Sequence, residues 1–136
     1  GDGPDLNRLR LLADSNIEFL GPLTNDAIRN LYRSSKAMLL PGEEEFGIAS
    51  VEAQACGCPV IALKRGGACE TIVDGETGIL VNQPTAEAFA NALRTAKARS
   101  FNQSITRRNA ERFSTPRFQT EFKNAIDETL NLSAEN

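Results

Sequence analysis

Four carboxylates near the middle of the chain, Glu43, Glu44, Glu45 and Glu52, are the residues whose types and spacing could do chemistry. They lie in the stretch Pro41 to Ile61, which reads Pro-Gly-Glu-Glu-Glu-Phe-Gly-Ile-Ala-Ser-Val-Glu-Ala-Gln-Ala-Cys-Gly-Cys-Pro-Val-Ile. An apolar run, Ala37 to Leu40, leads into it, a helix-like segment follows the acids, and a second apolar run starts at Pro59. In a unit of strand, loop, helix and strand, ligands sit at the carboxyl ends of the strands, where helix N-termini offer free N–H groups to anions. Carboxylates accept hydrogen bonds from neighbouring hydroxyls, so two of them spaced along loop and helix can hold a hydroxyl-bearing ligand at two points. The chain has no histidine, which removes the commonest general base. Any base must be a carboxylate, the substrate itself or a group on another domain.

On a helical wheel Ile48, Val51, Ala55 and Cys56 share one apolar arc, and Glu52 falls in its middle. A carboxylate there is costly to desolvate unless something hydrogen-bonds it. Either Glu52 escapes to solvent from a short helix, or a backbone N–H or arginine satisfies it, or it serves a site. For Glu43 to Glu45 the plain alternative is that acids ahead of a helix stabilise its N-terminus.

Glu44 is followed eight residues later by Glu52, around Phe46-Gly47-Ile48. This resembles the E-x7-E signature of the family 4, or group 1, retaining glycosyltransferases. Further segments occur in that family's order and spacing: Gly57-x-Pro59-Val60-Ile61-Ala62, Gly66-Gly67-x-x-Glu70-Thr71, and Asp74-Gly75-x-Thr77-Gly78-Ile79-Leu80-Val81. The wording Pro-Gly-Glu-Glu-Glu-Phe-Gly-Ile is most similar to the mannosyltransferases of surface-polysaccharide assembly. The resemblance spans nearly the whole chain and is tightest from Asn16 to Pro84.

It implies part of the C-terminal, nucleotide-sugar-binding domain of a GT-B fold. The N-terminal domain and a first strand–helix unit are then expected upstream of residues 1–136. It also implies transfer of a hexosyl group, mannosyl from GDP-mannose above others, to a glycan or lipid-linked acceptor with retention. The alternative is a nucleotide-sugar-binding module without catalysis of its own. Glu44 becomes the catalytic and donor-sugar carboxylate and Glu52 the acceptor for ribose hydroxyls. Phe46, Gly47 and Ile48 complete the donor-binding set, with Gly47 and Ile48 N–H groups toward phosphate or sugar oxygens. Gly21 and Pro22, after the expected strand end at Leu20, stand where the base would meet backbone. Lys64 and Arg65 are candidate phosphate-binding cations on the correct sheet edge, although they match no family phosphate motif. The family's Arg-x4-Lys pair on an upstream loop is not in this chain. Glu45 stands where glycine is commoner in the family. No cofactor and no metal are expected, the donor being a substrate. The implied setting is cytoplasmic, peripheral at the inner membrane face if a membrane is touched, with that contact made through the N-terminal domain.

With 136 residues the chain suits one domain with a real core. Its 40% hydrophobic and 24% charged residues argue against disorder. A net charge of −3 argues against nucleic acid as partner, and Arg107, Arg108, Arg112 and Arg117 read as a solvated helix face. Cys56, Cys58 and Cys69, an odd number in apolar surroundings, read as buried thiols of a reducing compartment. Cys-x-Cys without histidine lacks the usual zinc ligand set. No run approaches the roughly 18 apolar residues of a membrane span.

The elements that must position the acids follow from periodicity and turn residues. Helices are expected over Pro4 to Ala13 (Leu6, Leu9, Leu12 inward), from a cap at Thr24 or Asn25 to Arg33, from Thr85 (Phe89, Ala92, Leu93, Ala96 inward), and from Thr115 (Phe118, Phe122, Ala125, Ile126, Leu130). Strands are expected at Asn16 to Leu20, Ala37 to Leu40, Val60 to Leu63 and Ile79 to Val81, with a frayed tail after Leu132. Alternation of strand and helix makes this an α/β chain with a Rossmann-like, doubly wound parallel sheet.

Overall fold

The computed structural model describes residues 2–134, with side chains as far as 130. Three parallel strands, β1 (Met38–Leu40), β2 (Val60–Leu63) and β3 (Gly78–Val81), form a sheet in the order β1-β2-β3. Met38 pairs with Val60 and Val60 with Gly78, so the strands end level and their following loops emerge along one edge. Every residue of β2 is buried, as an uninterrupted apolar run requires of a central strand.

Alternation along the strands divides the core between the two sheet faces. Val60 and Ala62 pack with Ala53, Cys58, Ala68 and Ile72. Ile61 packs with Val81, Ala92 and, less deeply, Phe89. The first face is covered by α3 (Ile48–Ala55) and α4 (Ala68–Thr71), the second by α5 (Ala86–Ala98). Around them lie α1 (Leu6–Leu12), α2 (Asn25–Ser34), α6 (Gln103–Glu111) and α7 (Thr115–Ala134).

Local chemistry accounts for several boundaries. The Thr24 hydroxyl accepts from Ala27 N–H at the start of α2, and the Thr85 hydroxyl from Ala88 N–H at the start of α5. Each satisfies one of the orphan donors of a first turn. Asn102 caps α6 in the same way, a helix that the periodicity did not announce.

Other expectations fail. Asn16 to Leu20 is not a strand, because no strand lies beside it among the described residues, and backbone groups need a ladder partner. Leu9 and Leu12 of α1, Leu93 of α5, and Phe118, Phe122, Ile126 and Leu130 of α7 are exposed, since no described element covers those faces. Only Cys58 of the three cysteines is buried; Cys56 is half-buried and Cys69 exposed. The tail after Leu132 is helical to Ala134, and Glu135 and Asn136 lie outside the described residues. Among the described residues no helix is long and apolar enough to cross a membrane.

Candidate functional site

The loop from β1 to α3 carries Glu43, Glu44, Glu45 and Phe46, and the loop from β2 to α4 carries Lys64, Arg65, Gly66 and Gly67. Parallel pairing of β1 with β2 brings the two loops together at the carboxyl edge. Gly67 N–H donates to Glu44 O at 2.8 Å. A Cβ on Gly66 would stand 2.3 Å from Glu44 O, and one on Gly67 2.3 Å from Phe46 O. Two residues without side chains therefore let the acidic loop lie directly on the next loop, which holds the Glu44 backbone in place. The close backbone approach that this glycine pair permits is to the acidic loop.

At the far end of the acidic loop, Gly47 has φ of +77° and makes the N-cap of α3. Its left-handed conformation turns the chain sharply from loop to helix, which a residue with a Cβ resists. Ile48 and Ala49 N–H groups then open the first turn without a side-chain cap. Leu40, Glu44, Glu45, Phe46, Gly47 and Ile48 line a shallow concavity of about 520 Å³ around this turn. A concavity of about 810 Å³ lies at the opposite, amino edge of the sheet, with Lys36, Ala37 and Pro59 in its wall. Leu39 of β1 is in its wall too, and no carboxylate lines it.

The fold thus gathers Glu44, Phe46, Gly47 and Ile48 into one place. Glu52 is one turn further along α3 and exposed, as solvent escape allowed. It lies near enough to Tyr32 of α2 to help raise that phenol's pKa, after burial, which is the larger cause. Lys64 and Arg65 are exposed on the same edge, and among the described residues neither forms an ion pair with the acids. Gly21, with φ of +66°, and Pro22 follow the irregular segment at Leu20 and do not line the concavity.

The wheel of α3 was misleading. Ile48, on the apolar arc, is 66% exposed, whereas Ser50, Ala53 and Gln54 are fully buried. Gln54 Nε2 donates to Thr71 O at 2.9 Å, and Asn109 Nδ2 of α6 donates to Gln54 Oε1 at 2.7 Å and to Thr71 O at 2.8 Å. Hydrogen-bonded partners let polar groups go inside. Sequence reasoning also missed Phe113, after α6, whose ring meets Phe46 edge-on with centroids 5.6 Å apart. The available signal was the spacing of Thr106, Asn109 and Ala110, one helical face of small and amide residues, all buried.

A parallel sheet flanked by helices on both faces, with an acidic loop and a helix N-terminus at its carboxyl edge, defines a Rossmann-like α/β domain. The family described as Glycosyl transferases group 1 matches residues 1–113, and the chain belongs to that family. A D-inositol 3-phosphate glycosyltransferase of Rhodococcus opacus (strain B4) is 41% identical over 80 residues, 58% of this chain and 18% of that protein. Its counterpart in Gordonia bronchialis is 36% identical over 100 residues, 73% of this chain and 22% of that protein. The chain thus spans about a fifth of the length of the curated relatives it matches. Among solved structures, sucrose-phosphate synthase from Thermosynechococcus elongatus superposes with a TM-score of 0.73 at 26% identity, over 100% of this chain and 36% of that one. Anabaena HepE in complex with UDP and glucose gives 0.66 at 30% identity, over 90% of this chain and 34% of that one. The fold is accordingly a partial Rossmann-like domain of the GT-B kind.

Proposed function

We propose that this chain is the donor-binding part of a retaining glycosyltransferase that moves a hexosyl group from a nucleotide sugar to a glycan or lipid-linked acceptor. The observation that carries this reading is the acidic loop held on Gly66-Gly67 beside the α3 N-terminus, with the Glu44 carboxylate and the opening residues of α3 lining one concavity. Glu44 accepts hydrogen bonds from the donor sugar. Gly47 and Ile48 N–H groups face its phosphate or sugar oxygens, adding roughly 0.3–2 kcal/mol through the helix dipole. Glu52, about 6 Å further along the helix axis, accepts from the ribose. Lys64 and Arg65 offset part of the charge of the departing diphosphate.

GDP-mannose is our first choice of donor, on the wording of the acidic loop. A UDP-linked hexose is the second, favoured by the likeness to HepE, whose structure holds UDP and glucose. Titration of the full-length protein with GDP-mannose, UDP-glucose and ADP-glucose separates them. Glu44→Ala is expected to raise the transfer barrier by about 2–4 kcal/mol, the scale of one preorganised electrostatic contact, while leaving affinity for the free nucleoside diphosphate intact. Glu52→Ala is expected to weaken nucleotide binding by about 1.5–3 kcal/mol, the scale of hydrogen bonds to a charged group. Nucleotide affinity that is unchanged in the second variant removes Glu52 from the ribose, and loss of it in the first moves Glu44 onto the nucleotide.

A further inference from the structure

Behind the site, the exposed Arg112 and the buried Asn109, Gln54 and Thr71 form one path of hydrogen bonds from the end of α6 to Glu44. Arg112 Nη1 donates to Asn109 Oδ1 at 2.8 Å. Asn109 Nδ2 and Gln54 Nε2 both donate to Thr71 O. Thr71 Oγ1 donates to Gly67 O at 2.9 Å, and Gly67 N–H donates to Glu44 O. Gln54 and Thr71 are fully buried, and no buried side-chain polar atom among the described residues is left unpaired.

We infer that Thr71, Gln54 and Asn109 are positioning residues for Glu44. The inference rests on the reading that Glu44 meets the donor sugar. An apolar contact between α3, α4 and α6 would tolerate sliding, whereas hydrogen bonds are directional and a fully satisfied buried network selects one arrangement. The glycine pair passes that arrangement on. Gly66 and Gly67 already lie against the backbone of Glu44 and Phe46 with no space for one further carbon, so the acidic loop must follow any movement of α4. The height of the Glu44 carboxylate above the sheet is thereby set from α6, far along the chain, without any contact of Asn109 or Thr71 with ligand.

Thr71→Val in the full-length protein keeps the side-chain shape and removes the hydroxyl that adds a third hydrogen bond to Gly67 O beside those from the Glu70 and Thr71 N–H groups. Deuterium exchange of the segment 64–68 is expected to rise at least tenfold while β2 is unaffected, and Thr71→Ser is expected to restore it. The turnover number for hexosyl transfer, probed with GDP-mannose and UDP-glucose, is expected to fall at least tenfold in Thr71→Val. Affinity for GDP and UDP is expected to stay within twofold, a split that general destabilisation does not produce. Asn109→Ala, which removes the donor to Thr71 O and Gln54 Oε1, is expected to act the same way and stands in if Thr71→Val fails to fold. Unchanged exchange at 64–68 in the folded variants overturns the inference, as does loosened exchange with full transfer in a protein that Glu44→Ala inactivates. If Glu44→Ala itself leaves transfer intact, the assignment of Glu44 fails, and the exchange result still decides whether the network holds the loop.

Discussion

Gly67 has φ of −60°, open to any residue, so the demand for glycine there is steric: its Cβ would lie 2.3 Å from Phe46 O. Gly67→Ala is expected to cost about 1–3 kcal/mol, the scale of overpacking, because backbone and not a flexible side chain must yield. Gly42→Ala, whose Cβ would meet nothing within 4 Å, is the matched control. Urea midpoints of the two variants check this, and equal midpoints would break the account of the clamp. The cysteines allow a second residue-level prediction. Burial, helped by neighbouring Cys56 and partly opposed by a hydrogen bond from Met38 backbone, pushes the Cys58 thiol from 9.0 up to about 11. Iodoacetamide at pH 8 is therefore expected to modify exposed Cys69 first and to leave Cys58 largely protonated and unreacted. Because the folded thiol titrates above the unfolded one, its contribution to stability is whole below pH 9 and is lost as pH climbs toward 11. Mass spectrometry of the alkylated chain across that range reads the order of reaction, and Cys58 reacting as fast as Cys69 at pH 8 would contradict it.

Among the elements, α7 stands apart. Phe118, Phe122, Ile126 and Leu130 recur every four residues along its exposed face, and the first two rings stack with centroids 5.6 Å apart. A stripe of this kind holds a helix in place only when something covers it, because most of a helix's stability in a protein comes from packing its amphipathic face. In the 136-residue chain alone, amides of α7 are expected to exchange at least a hundredfold faster than those of β2 and α3. Equal protection would mean that α7 is stabilised without a partner for its apolar face. The opposite case is α6, which has mostly polar residues yet buries Thr106, Asn109 and Ala110 against α3 and, through Phe113, borders the acidic loop.

At the scale of the whole molecule, the chain supplies a site edge with an excess of negative charge. A diphosphate beside Glu44 and Glu45 meets repulsion on the order of 1 kcal/mol per close pair in solvent-like surroundings, more where water is excluded. Lys64, Arg65 and the α3 N-terminus offset part of it. The 136-residue chain by itself is therefore expected to bind GDP-mannose no better than micromolar and to transfer nothing. Isothermal titration at low salt is the check, and sub-micromolar binding would show that these few positive groups suffice.

The α/β class, the strands at Met38–Leu40, Val60–Leu63 and Gly78–Val81, and the caps at Thr24 and Thr85 were legible in the sequence because each depends on neighbours within a few residues. An apolar run bounded by turns reads as a buried strand, and a threonine ahead of a helix reaches its own first turn. The motif around Glu44 and Gly47 was legible for the same reason: loop, glycine and helix start are contiguous. The tertiary structure alone decided which face of α3 is inside. Its wheel favours Ile48 and Val51, yet Gln54 is buried, because an amide 55 residues away on Asn109 and the carbonyl of Thr71 complete its hydrogen bonds. Asn16 to Leu20 has strand composition but no neighbouring strand among the described residues, so its backbone does not enter the sheet. Gly66 and Gly67 look like an ordinary turn until β1 and β2 pair and lay Glu44 and Phe46 on top of them. Burial of a polar side chain and close approach of backbones are both decided by partners distant in sequence, and only the folded chain brings those partners together.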